Sequence, residues 1–308
     1  MTGDEPVQIL RRDVPLRSVS EPVRVGLVGA GPWAGMAHGP VFAAGPETTL
    51  TAVWARRREA AEELAAAHGA EAVDRVEDLY VRCDAVAFCV PPAVQAELAI
   101  GAAQAGMALI LEKPIAADVA GAQRLADAVA AAGVPSLVAL TWRYSGVVRE
   151  FLANAVGFEA YGGRGTFVSG GLAAGPFRTP WRLEMGALLD LGPHVLDLLD
   201  AALGPIVSVR AAGNSLRWVS LQLEHESGSV SEAALCAGAP LEPHRAGAEL
   251  YGPTGVLEVD CATGVGGSAF RTLRAEAAEM TRGRVPHSLD VRRGLYLQRI
   301  IEEARSQL

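Results

Sequence analysis

From Val23 onward, short apolar runs alternate with Ala-rich stretches whose polar positions recur at helical spacing. Val23–Val28 reads as a first strand, followed by a helix over Ala34–Ala44 and a second strand at Leu50–Trp54. A helix over Glu59–His68, a short strand near Ala72 and a helical turn around Asp78 come next. Ala85–Val90 is a strand stopped by Pro91–Pro92, and a helix over Ala93–Ala105 leads to the strand Met107–Leu111. Asp118 is placed to cap a helix that runs to Ala132, and Ser136–Leu140 closes the series. Strands and helices alternating at this length require a parallel sheet covered on both faces. Residues 21–141 therefore predict a doubly wound α/β domain of Rossmann type.

After Trp142 the rhythm changes. A helix near Gly146–Ala155 precedes a Gly-rich strand region, Gly162 to Gly171, and a Gly-, Pro- and Arg-rich loop from Gly175 to Arg182. One long apolar helix, Gly186–Leu203, follows, and Pro193 within it is expected to kink or restart it. Strands around Ile206–Ala212, Trp218–Leu223, Val230–Leu235, Ala248–Tyr251 and Val256–Val259 then run without intervening helices. That order implies a largely antiparallel sheet and an α+β second domain over 142–308, closed by an amphipathic helix at Leu289–Arg305. The first twenty residues, polar and containing Arg11–Arg12, read as an N-terminal arm.

Composition narrows the function classes. Of 308 residues, 50% are hydrophobic and 20% charged, which suits two packed cores and excludes a disordered chain. The 27 basic and 35 acidic residues leave a net charge of −8, and the longest basic tract is Arg56–Arg58. Such a chain is a poor partner for nucleic acid or an anionic membrane. No apolar run reaches the ~20 residues of a membrane span, and no apolar segment follows Arg11–Arg12 as an export signal requires. Cys83, Cys89, Cys236 and Cys261 lack C-x-x-C spacing and read as buried free thiols of a reducing compartment, so the expectation is a cytoplasmic protein without a metal site.

The turn between the first strand and helix reads Gly29-Ala30-Gly31-Pro32-Trp33-Ala34, matching G-x-G-x-x-G/A. Gly29 permits the tight turn, Gly31 lets a pyrophosphate approach the backbone, and Ala34 allows close helix–strand packing. Where NAD-binding chains usually place an acid, about 20 residues after the glycines, this one has Arg56-Arg57-Arg58 at a helix start. Cations there oppose the helix dipole, and a 2′-phosphate among them would relieve that conflict. NADP(H) is the favoured cofactor, with NAD(H) and a merely solvated arginine run as the alternatives.

Of the 27 basic residues, 26 are Arg and one is Lys113, in Leu111-Glu112-Lys113-Pro114. A Lys amine gives up or shares a proton in ways Arg does not, and this one follows a parallel strand at the edge where such sheets bind ligands. In the long apolar helix, Asp190 and His194 stand four residues apart and Asp197 three beyond, spacings that place all three on one face. An acid beside a histidine raises its basicity and fixes its tautomer, as a proton carrier needs. A satisfied core histidine is the plainer alternative, and Asp197 reads as a structural partner.

Taken together, the Gly29–Ala34 turn, Val90-Pro91-Pro92, Glu112-Lys113-Pro114 and Asp190-x-Gly192-x-His194 resemble the glucose–fructose oxidoreductase/inositol dehydrogenase/rhizopine-catabolism (Gfo/Idh/MocA) family from Val23 to the end. The resemblance implies a Rossmann domain with an open-faced sheet domain, and NAD(P)-dependent hydride transfer at a carbinol or ketone carbon of a sugar or cyclitol. It places the catalytic Lys, Asp and His on Lys113, Asp190 and His194. Gly29, Gly31, Pro32, Trp33, Ala34, Arg56, Arg57, Val90, Pro91, Glu112 and Lys113 are then the cofactor contacts. Arg143, Tyr144, Trp181 and Arg182 are the candidates for holding a polyol, sugar or keto-sugar. A homodimer or homotetramer through the second-domain sheet is also implied. Lys113 would polarise the carbonyl oxygen while His194, oriented by Asp190, supplies the proton. The chain departs from the pattern at Ala34-Gly35, at Glu184-Met185-Gly186 and at Pro193. Rival readings are a catalytically silent dinucleotide sensor or co-repressor of the same fold, and an acylating dehydrogenase using Cys83 or Cys89.

Overall fold

A computed structural model describes residues 21–215 and 217–308; the N-terminal arm lies outside the described residues. The first sheet contains β1 (Val23–Val28), β2 (Thr48–Trp54), β3 (Glu71–Ala72), β4 (Ala85–Phe88), β5 (Ala108–Leu111) and β6 (Ser136–Val138). Their order is β3-β2-β1-β4-β5-β6, and every pairing is parallel. Every residue of β4 and β5 is buried, as strands covered by helices on both faces must be. The order reverses between β1 and β4, which opens a crevice at their carboxyl ends. Gly29 and Cys89 follow directly on those strands. The predicted strand to Val90 ends at Phe88, so Val90 and Pro91 fall in the loop that rims the crevice.

The second sheet contains β7 (Gly162–Val168), β8 (Ile206–Asn214), β9 (Trp218–His225), β10 (Val230–Cys236), β11 (Arg245–Gly252) and β12 (Gly255–Asp260). Its order is β12-β11-β7-β10-β9-β8, antiparallel except between β7 and β10. Strand β9 shows the two faces: Val219, Leu221 and Leu223 are buried, whereas Ser220, Gln222 and Glu224 are exposed. The inner face receives the helix Pro180–Leu203. The outer face mixes exposed apolar side chains, Trp218, Val230, Tyr251 and Val256, with polar ones such as the Arg164–Glu249 ion pair at 2.8 Å.

The long helix breaks at Gly186 (φ 66°, ψ −172°), not at Pro193. A Cβ on Gly186 would lie 2.3 Å from the Ser215 carbonyl oxygen, which accepts instead from Ala187 N at 2.7 Å. Pro193 keeps helical geometry, so the expected kink there is not formed. The break turns Pro180–Met185 across the crevice while Ala187–Leu203 stays against the second sheet.

The chain after residue 142 serves both sheets. Beyond β12, a helix over Gly267–Gly283 that the sequence pattern did not reveal packs on the first domain, with Arg274 Nε 2.8 Å from Glu47 Oε2. It starts at Gly266 without a side-chain cap, which removes the usual signal. The final helix, Val291–Arg305, lies on Val119–Ala132, and Leu289 O accepts from Val138 N at 2.7 Å.

Candidate active site

A cleft of about 540 Å³ runs from the glycine turn past Arg56 and Arg57, then past Val90, Pro91, Glu112 and Lys113 to Trp181, Arg182 and Asp190. At one end the local geometry suits a dinucleotide. Gly29 has φ 111°, and a Cβ on it would sit 2.4 Å from Cys89 O, so no other residue fits. A Cβ on Gly31 would meet nothing within 4 Å, leaving its backbone open to a phosphate group. Ala34 is fully buried and opens a wide helical turn, Ala34–His38. Of the three arginines, Arg56 and Arg57 line the cleft. Arg58 instead starts the helix Arg58–His68 and pairs with Glu62 at 2.7 Å and Asp74 at 2.6 Å.

Glu112 is held on all sides. Its carboxylate accepts from Trp33 Nε1 and His38 Nε2, both at 2.7 Å, and from Lys113 N at 3.1 Å. Burial pushes its pKa up, but the hydrogen bond and charge of His38, with the charge of Lys113, carry it below the ordinary carboxylate range. The Gln95 amide clamps the same segment: Nε2 donates to Glu112 O at 2.7 Å and Oε1 accepts from Glu112 N at 2.9 Å. Gln95 and His38 were not predicted as site residues. Their signal in the sequence is faint: His38 ends an otherwise apolar turn, and Gln95 shares its helix with the polar Glu97 and Gln104. The result is a rigid mount for Lys113 beyond the end of β5.

Lys113 Nζ donates to the Asp190 carbonyl oxygen at 2.6 Å and to Asp190 Oδ1 at 3.1 Å. Its third N–H has no protein partner among the described residues. Arg182 NH1 grips the same carboxylate at 2.9 and 3.1 Å, and its guanidinium lies between Trp181 (4.9 Å) and Phe177 (5.4 Å). Burial raises the Asp190 pKa, yet the charges of Lys113 and Arg182 hold it below the usual value. The cation–carboxylate–cation group thus keeps one net positive charge on the cleft wall.

His194 does not take the expected place. Asp190 gives its carboxylate to Lys113 and Arg182 and does not orient the imidazole. The ring is 7% exposed, stacks on Trp142 at 5.3 Å, and its Nδ1 is buried without a partner among the described residues. Burial first, and the Lys113 charge second, push its pKa down to about 3. The neighbouring acid therefore does not make it the stronger base that helical spacing suggested.

Two of the four substrate candidates lie elsewhere. Arg143 binds Asp197 at 3.1 Å and borders a separate shallow hollow with Arg149 and His287. Tyr144 is buried and donates its hydroxyl to Val138 O at 2.9 Å. Trp181 and Arg182 do line the cleft. Asp197 is a structural partner, held by Arg143 and by Arg293 at 2.6 Å. Cys89 touches the cleft, but burial and the Glu112 charge raise its thiol pKa well above the ordinary value, the opposite of a nucleophile.

Known proteins share this family and fold. Residues 23–140 match the profile GFO_IDH_MocA, described as an oxidoreductase family with an NAD-binding Rossmann fold, and residues 148–258 match the C-terminal domain of that family. The chain is 30% identical over 275 residues to a dTDP-3,4-didehydro-2,6-dideoxy-α-D-glucose 3-reductase of Streptomyces violaceoruber, covering 85% of this chain and 80% of that one. The fold matches GenD2 from gentamicin A biosynthesis in complex with NAD, with TM-score 0.83, 20% identity, and coverage of 94% and 95%. It also matches levoglucosan dehydrogenase in complex with NADH and L-sorbose, with TM-score 0.82, 19% identity, and coverage of 93% and 98%.

Proposed function

The chain belongs to the Gfo/Idh/MocA family of NAD-binding oxidoreductases, and from that premise we propose an NADP(H)-preferring enzyme that transfers hydride to or from a carbinol or ketone carbon of a sugar or cyclitol. The observation that carries this reading is the Lys113–Asp190–Arg182 group on the wall of the cleft that also contains the glycine turn. The bound cofactor would supply or accept the hydride at its nicotinamide. Gly29, Gly31 and Ala34 would admit the pyrophosphate, and Arg56 with Arg57 would hold a 2′-phosphate.

In the reductive direction the free N–H of Lys113 polarises the carbonyl oxygen and passes its proton to the alkoxide as charge develops. Asp190 holds the amine in place, and Arg182 fixes Asp190. His194, kept neutral by burial, is a poor donor of that proton, so the role predicted for it passes to Lys113. The apolar wall formed by Phe177, Trp181 and Met185 suits a ring poor in hydroxyls, in keeping with the keto-deoxysugar named for the Streptomyces relative. Association through the open face of the second sheet belongs to the same reading.

The test is NADPH and NADH oxidation with a panel of keto-sugars and cyclitol ketones, with cofactor binding measured in parallel. Turnover with a keto-sugar is expected, faster with NADPH. Arg56→Ala should weaken NADPH about tenfold or more while leaving NADH little changed; equal loss rejects the 2′-phosphate contact. Tight binding without turnover on any ketone would favour a sensor.

A further inference from the structure

Lys113 also forms part of the wall of a second, much smaller cavity, shared with Pro114, Val138, Pro193, Gly294 and Gln298. It measures about 10 Å³, close to the room needed by the centre of one water molecule. Its tightness follows from the close approach of the final helix: a Cβ on Gly294 would lie 2.6 Å from Ile115 Cγ2. Pro193, on the facing helix, contributes no N–H to it. Apart from Lys113, the one polar side chain on this wall is Gln298, which is 1% exposed. Neither its Oε1 nor its Nε2 has a hydrogen-bond partner among the described residues. A buried amide unpaired at both ends is strongly disfavoured, and an apolar residue of the same size would pack better unless the amide serves something.

We propose that this cavity holds one ordered water bridging the Gln298 amide to Lys113, which makes Gln298 a positioning residue for the lysine. A buried water needs two to four polar partners: Gln298 offers both a donor and an acceptor, and the spare N–H of Lys113 is the third until a ketone takes that N–H over. In this arrangement Asp190 holds the amine from one side and the water from another. The catalytic consequence rests on the function proposed above: the water orients the spare N–H while the cleft is empty, yields it to the carbonyl oxygen of a bound ketone, and takes it up again when the product leaves. The water site itself does not depend on that function.

Because the chain has a single lysine, acylation of Lys113 is readable as one modified peptide by mass spectrometry, with no substrate present. Gln298→Met keeps the volume and removes both polar atoms, whereas Gln298→Asn keeps the amide and leaves room for a further water. In Gln298→Met the labelling rate of Lys113 should rise about fivefold or more, with an unchanged or lowered melting temperature, while Gln298→Asn stays within about twofold of wild type. A melting temperature raised by several degrees in Gln298→Met would mean that the native amide is dry, and overturns the proposal. Wild-type labelling in folded Gln298→Met overturns the coupling to Lys113. Should Gln298→Met not fold, a high-resolution crystal structure of the wild type decides: density for a water on the Gln298 amide is expected, and a dry cavity overturns it. Absence of turnover on every ketone would defeat the proposed reaction and leave these readouts intact.

Discussion

Two aspartates on one helix, Asp190 and Asp197, are both buried and both bound by two cations from distant parts of the chain. Asp190 holds Lys113 and Arg182. Asp197 holds Arg143 and Arg293, and Arg293 also bonds Asp200, itself tied to the Tyr296 hydroxyl. Each aspartate has two cations, but Asp200 balances the second cluster while the first keeps a net positive charge, and the two differ above all in access. Asp190 and its partners line the 540 Å³ cleft beside the glycine turn, whereas Asp197 is 1% exposed and seals the seam between two helices. One cluster contains the only lysine of the chain and the other only arginines. A buried ion pair by itself therefore says nothing about function; an exchangeable proton facing an open cleft does.

The contrast breaks most readily at Arg293. Arg293→Ala leaves Asp197 and Asp200 short of their shared partner and should lower unfolding stability by about 3–5 kcal/mol in denaturant titration, with turnover per folded molecule within about twofold. A small stability loss with a large loss of turnover would erase the distinction between the clusters. Lys113→Ala should do the reverse: turnover falls at least about 100-fold, with cofactor affinity and melting temperature near wild type. Wild-type turnover in that variant removes Lys113 from the chemistry.

A smaller effect concerns the histidine between the clusters. His194 protonates near 6.5 in the unfolded chain but only near pH 3 when buried, so the unfolded state binds the extra proton between those values. Its contribution to stability is whole above about pH 6.5 and declines as pH falls, by up to about 1.4 kcal/mol per pH unit. Glu112 and Asp190, whose pKa values are depressed in the fold, add their own losses only below about pH 4.5. Between pH 4.5 and 6.5, His194→Asn should flatten the stability curve relative to wild type. Parallel curves would show that the imidazole is not held neutral.

The same contrast explains what the sequence could disclose. The first domain is legible because its signals are local: strand–turn–helix alternation, a glycine turn of six residues, and a helix cap at Asp118 that the structure shows accepting from Gly121 N. The lone Lys113 was legible by composition. The break at Gly186 was not, because it is set by the Ser215 carbonyl, a contact between parts of the chain far apart in sequence. Likewise, a spacing of four residues predicts that Asp190 serves His194, but Lys113 arrives from the other domain, 77 residues away, and takes the carboxylate. Arg143 and Tyr144 looked like cleft residues because Arg can hold hydroxyls and an aromatic ring can stack on a sugar face. The turn at Thr141–Tyr144 sends one to Asp197 and the other into the core.

The most direct measurement is a crystal structure of the NADPH complex. The predicted result has the nicotinamide ring opening onto Lys113, with the amine still anchored on Asp190 and the 2′-phosphate beside Arg56. A ring that binds facing away from Lys113, with the amine walled off from it, would contradict the role given to the single lysine.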